Sequence, residues 1–127
     1  MYSVEFSLVN VSDSFRIYKY QRKLNHYDMD FKIESGPREC KFHSSIIAQT
    51  SWSVSQHLSS SPSVKIMKIS EDFKDVILYL HSLVYDSVVV VNSEKATQLS
   101  LLCNYLKISV NMTNLNEVIQ NLDALSI

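Results

Sequence analysis

A single glycine, Gly36, stands in the whole chain of 127 residues. Loops that cradle phosphate bring several backbone amides close to the ligand, an approach that clustered glycines permit. One glycine cannot build such a loop, so nucleotide binding by a Gly-rich loop is excluded. The glycine lies in Ser35-Gly36-Pro37, between two apolar alternations. Met29, Phe31 and Ile33 alternate with Asp30, Lys32 and Glu34 before it, and Cys40 and Phe42 follow. This pattern predicts a strand, a tight turn and a second strand, paired as a hairpin.

Around the hairpin the periodicity changes. Val4, Phe6 and Leu8 alternate like a half-buried strand, whereas Phe15 to Tyr20 fits either a second strand or the start of a helix. His43 to Ala48 predicts a short helix ending near Thr50, and Ser51 can cap a second one carrying Trp52, Val54 or Ser55, and Leu58. Ser59 to Pro62 breaks it. Val64 to Ile69 reads as a strand whose alternation leaves the buried face open. Ser70 is a good N-cap for a long helix, with Phe73, Val76, Ile77, Leu80, Leu83 and Val84 at helical spacing. Val88 to Val91 predicts a short buried strand. Asn92-Ser93 then caps a helix with the stripe Ala96, Leu99, Leu102, Cys103 and Leu106. Asn114 with Glu117 resembles a capping arrangement ahead of Leu115, Val118, Ile119, Leu122 and Leu125. The sum is one α+β domain.

Bulk properties narrow the function classes. Hydrophobic residues make up 46 % and charged ones 20 %, a composition that folds. At this length roughly two thirds of the unfolded surface is buried on folding, so no disulfide or metal is needed. The net charge of −1 argues against broad electrostatic binding of nucleic acid or anionic membrane. Cys40 and Cys103 stand far apart, where a small secreted scaffold would carry more cysteines. No run approaches the roughly 20 apolar residues of a membrane span, and no signal-peptide core opens the chain. Cytosol or nucleus is the expected compartment. Asn10-Val11-Ser12 and Asn111-Met112-Thr113 fit the glycosylation pattern, which is too short to carry weight.

Candidate chemistry meets plain alternatives. His26, His43, His57 and His81 include no pair at ligand spacing, and the cysteines are remote, so no metal or cofactor is expected. Serines are abundant, yet no Gly-x-Ser-x-Gly elbow exists. Asp28 with Asp30 and Glu71 with Asp72 read as strand positions and a helix N-terminus, so no enzyme is expected. Arg16, Lys19, Arg22 and Lys23 interleave with Tyr18, Tyr20 and Tyr27. That mixture serves single-stranded nucleic acid in some proteins, but tyrosines also favour protein interfaces, and the charge balance favours the second reading.

The order of elements resembles a BTB/POZ domain. The residues that carry the resemblance are Tyr27 to Ile33, then Lys41-Phe42-His43 to Ser51, the strand Val64 to Ile69, Phe73 to Tyr85, a valine-rich strand, and Asn104 to Ile108. Its motif positions are Asp28, His43, Ser51, Phe73 and Tyr85, and it covers residues 27–108. The chain departs from the family at Val54, where phenylalanine is frequent, and at Tyr85-Asp86-Ser87, where a glycine is common. Ser51 to Leu58, with Pro62 to Val64, also looks like divergent BTB-like segments that precede ankyrin-type repeats in some protist proteins, which implies a longer parent protein.

The resemblance implies a BTB/POZ-like fold, with a small three-stranded or larger mixed sheet on about five to six helices. Residues 1–26 would be an N-terminal extension and possible dimer element, and 109–127 a C-terminal helix on or after the core. It implies a protein–protein interaction module that homodimerises or assembles a scaffold. The implied interface falls on Phe15, Ile17, Tyr18, Tyr20, Leu24, Ile46, Ile47 and Trp52. The isoleucines also read as core, and Trp52 reads equally as anchor or cover. Cullin-recruiting members, which adapt substrates to a ubiquitin ligase, carry an apolar-x-Glu element where this chain has Leu58-Ser59-Ser60. Their charged pocket keeps Asp28 but meets Ser44. Both departures rank the cullin adaptor below self-association, and nucleic-acid binding last. His43 is expected to bond backbone or Asp28, and His81 to lie on the polar side of its helix.

Overall fold

The computed structural model describes residues 2–115. It is an α+β fold in which two three-stranded sheets share helices between them. Strand β1 (Ser3–Leu8) leads to helix α1 (Asp13–Lys23), which settles the ambiguity at Phe15–Tyr20 in favour of helix. The Ser12 hydroxyl accepts from the Phe15 amide, and Asp13 lies in the first turn, at the positive helix end. A 3-10 turn (His26–Asp28) follows, and then the expected hairpin of β2 (Phe31–Ser35) and β3 (Arg38–Phe42). Its register pairs Phe31 with Phe42 and Ser35 with Arg38. Gly36 makes the turn with φ of 56°, and a Cβ there would sit 2.7 Å from the Glu71 side chain.

Helices α2 (Ser44–Thr50) and α3 (Trp52–Ser60) come next, separated at Ser51. The Ser51 hydroxyl accepts from the Val54 amide and donates to the Leu106 carbonyl oxygen, fixing both the break and its anchorage. Strand β4 (Ile66–Ile69) runs parallel to β2, giving the order β3-β2-β4. Met67 and Ile69 form its inward face, while Ile66 is exposed.

The helix expected from Ser70 begins later. Ser70 caps only a 3-10 turn (Glu71–Phe73), and α4 spans Ile77–Asp86. The cause is tertiary: this turn packs against β2 and α5 (Ser93–Leu106), and Phe73 meets Tyr105 instead of extending the stripe. Strand β5 (Val88–Asn92) forms as expected but is not buried throughout. It lies at the edge of the sheet order β5-β1-β6, so Val91 faces inward while Val88 and Val90 face solvent. Four β-branched residues report strand propensity, and an edge location decides exposure.

The central strand of that sheet is β1, antiparallel to both neighbours. Its second partner is β6 (Val110–Asn114). Residues 110–114, expected within a terminal helical segment, therefore pair as a strand, because β1 offers an open edge that their backbone satisfies. The expected helix beyond Leu115 lies outside the described residues.

Helix α4 packs against β3 of one sheet and β1 and β5 of the other, so it joins the two. Around it Phe6, Phe42, Ile77, Leu80, Leu83 and Leu99 are fully buried. Among the described residues no buried side-chain nitrogen or oxygen lacks a hydrogen-bond partner, as a well-specified core requires. No helix among the described residues is long and apolar enough to cross a membrane.

Candidate interaction surface

Helix α1 is tied down by one face and bare on the other. On the inner face Lys19 is fully buried, its Nζ donating to the Val84 carbonyl oxygen at 2.7 Å and to the Ser87 hydroxyl at 2.6 Å. Burial pushes its amine down to about 8, Arg16 adds to the depression, and Asp86 opposes it. Lys23 reaches Asp86 at 2.7 Å. Phe15 and Tyr18 are half-buried, stacked with centroids 6.4 Å apart, and the Tyr18 hydroxyl meets that of Ser45 on α2 at 3.1 Å. Arg22 lies over the Tyr18 ring and pairs with Asp28 at 3.4 Å.

Lys19, Arg22 and Lys23 are thus engaged in contacts within the fold.

On the outer face Ile17, Tyr20 and Leu24 are 59 %, 67 % and 71 % exposed. Their spacing of three and four residues stacks them along one side of the helix. An aliphatic, an aromatic and an aliphatic side chain in line make a continuous apolar stripe in water.

The other interface candidates separate. Ile46 and Ile47 are fully buried in the core and present nothing at the surface of the single chain. Trp52 is 57 % exposed at the start of α3, with Lys107 Nζ 5.7 Å from its ring centroid. Leu58 packs half-buried on the core, while Ser59 and Ser60 are exposed at the end of α3.

The motif residues form a structural knot. The buried Tyr85 hydroxyl accepts from the His43 amide at 2.8 Å and meets His43 Nδ1 at 2.6 Å. His43 Nε2 faces the Asn25 carbonyl oxygen at 3.0 Å, and a carbonyl only accepts, so Nε2 carries the proton. In the neutral ring Nδ1 then accepts from Tyr85. Burial raises the Tyr85 phenol to about 12. Of the two partners expected for His43, backbone is found and Asp28 is not. Asp28 binds Arg22 and Asn25 instead, because it sits in the 3-10 turn, one strand entry away from the histidine.

Ser44 pairs with Asp30, whose carboxylate accepts from the Ser44 amide and hydroxyl at 2.8 and 2.9 Å. Burial raises the Asp30 carboxyl, but the two Ser44 bonds, its own backbone amide and the charge of Lys65 together outweigh it and the net shift is downward. His81 does not stand apart on a polar face, for its ring leans on Tyr85 at 4.6 Å and Phe42 at 5.8 Å.

Cys40 and Cys103 are free and buried, and burial pushes both thiols up to about 12. No group of three or more metal-ligating side chains forms among the described residues. One residue that matters, Asn25, escaped the sequence reading, and a second, Ser87, was noted only as a missing glycine. Asn25 anchors both His43 and Asp28. Ser87 holds a left-handed turn with φ of 66°, and the signal for it was the missing glycine after Tyr85-Asp86. Compared with known protein families and with curated proteins, the chain matches none.

Proposed function

We propose that this chain is a protein–protein interaction module of the BTB/POZ type that self-associates, or seats a scaffold partner, through α1. The observation that carries the reading is the stripe of Ile17, Tyr20 and Leu24, apolar and largely exposed on a helix whose inner face is pinned by Lys19 and Lys23. A two-fold contact needs a self-complementary patch, and an apolar stripe on a rigid helix meets its copy without unpaired charge. Support also comes from the order of a strand, a helix, a hairpin, two short helices, a strand and two longer helices, which resembles the family. The cytosol or nucleus remains the proposed compartment, supported by two buried free thiols.

Recruitment of a cullin-type scaffold gains no observation of its own. Leu58 is partly committed to the core, and Ser59 and Ser60 present no carboxylate.

Light scattering after size exclusion, at micromolar concentration, tests the proposal. The expected mass is twice the 14.6 kDa of the chain, reverting to that of one chain in Tyr20→Glu and Leu24→Glu. A wild-type chain that stays monomeric across the concentration series, with no scaffold partner captured through α1, overturns it.

A further inference from the structure

We propose that the outer edge of β4 takes an added strand from another protein, an extended segment with the pattern acid, apolar, apolar, acid. Strand β4 ends the order β3-β2-β4 and runs parallel to β2, with Lys32 opposite Ile66 and Glu34 opposite Lys68. The Lys32 amide donates to the Lys65 carbonyl oxygen at 2.9 Å. In a parallel ladder alternate residues turn their backbone groups to the same neighbour. Lys65 and Met67 therefore bond toward β2, and the N–H and C=O groups of Ile66 and Lys68 point away from the sheet. Among the described residues no other segment bonds them, and no element besides β2 packs substantially on β4. The side chains agree. Val64 and Ile66 are 45 % and 41 % exposed, and Lys65 and Lys68 are exposed as well.

Charge decides the occupant. Val64 to Ile69 carries Lys65 and Lys68 and no carboxylate. Glu34, across the ladder from Lys68, is engaged by Lys32 at 3.3 Å. Lys65 steadies the Asp30 carboxylate through space, and neither lysine makes an ion pair among the described residues. A second copy of β4 laid along this edge would place four lysines on two short strands with no acid between them. Lysines on an edge strand act in this way against pairing with their own kind. They do not oppose a strand that brings carboxylates, because opposite charges facing each other across a ladder stabilise it. Lys65 and Lys68 are three positions apart, so the two acids of the incoming segment are three apart too and lie on opposite faces. The residues between them meet Ile66 and Met67 and are apolar. Main-chain bonds to Ile66 and Lys68 supply affinity and the two acids supply selection, the division of labour at strand-addition sites. The inference does not rest on α1, so either proposal survives the failure of the other.

A capped peptide, Thr-Glu-Val-Val-Glu-Thr, titrated into the whole chain and followed by amide NMR tests the proposal. The expected result is saturable shifts along Val64 to Ile69 and slowed hydrogen exchange at the Ile66 and Lys68 amides, which exchange freely without peptide. In the double variant Lys65→Glu, Lys68→Glu the affinity falls by about tenfold or more. The reversed peptide, Thr-Lys-Val-Val-Lys-Thr, then binds the double variant and not wild type. Ile66→Pro removes only an outward N–H, which an edge strand accommodates, and it abolishes binding, whereas a merely electrostatic contact would persist. The charge exchange decides the matter whether or not Ile66→Pro folds. No saturable binding by wild type, equal affinity for both peptides, or binding that survives Ile66→Pro in a folded chain would each overturn the proposal. So would Ile66 and Lys68 amides already protected in wild type alone, the sign that this chain or a second copy fills the edge.

Discussion

Lys19 and Val84 face each other across 65 residues of sequence, the buried ammonium donating to a carbonyl oxygen in the last turn of α4. Carbonyls at a helix C-terminus lack intrahelical partners, and a cation there also meets the negative end of the helix dipole. The same amine steadies the Ser87 hydroxyl in its left-handed turn. Replacing it by methionine keeps the packing of the stem and removes both bonds. Lys19→Met is expected to cost about 2 kcal/mol of stability at neutral pH, read from urea unfolding. A variant as stable as wild type would mean that the bonds only offset the desolvation of the charge.

Lys19 also predicts a pH dependence. Its amine titrates near 8 in the fold against an ordinary 10.5. Between those values the unfolded chain still holds a proton that the folded chain has lost, so stability rises with pH across the window. The two buried thiols act oppositely: raised from 9.0 to about 12, they lower stability as pH climbs above 9. The lysine contribution is therefore isolated as the difference between wild type and Lys19→Met from pH 7 to 9. A flat difference contradicts the assignment.

The Tyr85 hydroxyl serves two atoms of His43, one backbone and one ring nitrogen. Tyr85→Phe retains the ring packing against Phe42, whose plane lies 3° from parallel, and leaves both buried His43 atoms without that partner. The expected loss is about 1 to 3 kcal/mol, measured as a lowered thermal midpoint. Retention of the wild-type midpoint would show that water or a shifted His43 replaces the phenol.

Burial separates Ile46 from Ile17, although both appeared as interface candidates. Ile46→Ala removes a fully buried side chain and is expected to destabilise the fold by about 2 to 5 kcal/mol. Ile17→Ala, on the exposed stripe, is expected to leave folding within about 0.5 kcal/mol while weakening self-association in the light-scattering series. The reverse pattern would exchange their roles.

Lys107 ends α5 in a left-handed conformation with φ of 54°. A side chain there costs about 1 to 2 kcal/mol relative to glycine, more than the roughly 0.5 kcal/mol of an exposed cation–π contact with Trp52. Lys107→Gly is therefore expected to stabilise the protein, seen as a higher urea midpoint at unchanged slope. Ser87→Gly relieves similar strain but loses the hydroxyl that Lys19 holds, so its gain should be smaller.

Elements specified by neighbouring residues were readable from the chain alone. Gly36-Pro37 between alternating runs marks the hairpin, Ser51 marks the break between α2 and α3, and Asn92 caps α5 through the Lys95 amide. Each depends on contacts within a few positions, and caps and periodicities record such contacts directly. Even the α+β class follows from their order. Packing over long separations is another matter. That β1 stands at the centre of a sheet, that Val110–Asn114 joins it as a strand, and that Val88 and Val90 lie at an exposed edge all depend on which backbone edges remain open after collapse. The fate of α1 was settled in the same way. Nothing in Phe15 to Tyr20 says that Lys19 turns inward and Tyr20 outward, because an amine is buried only where a distant helix end, here Val84, supplies the oxygen to receive it.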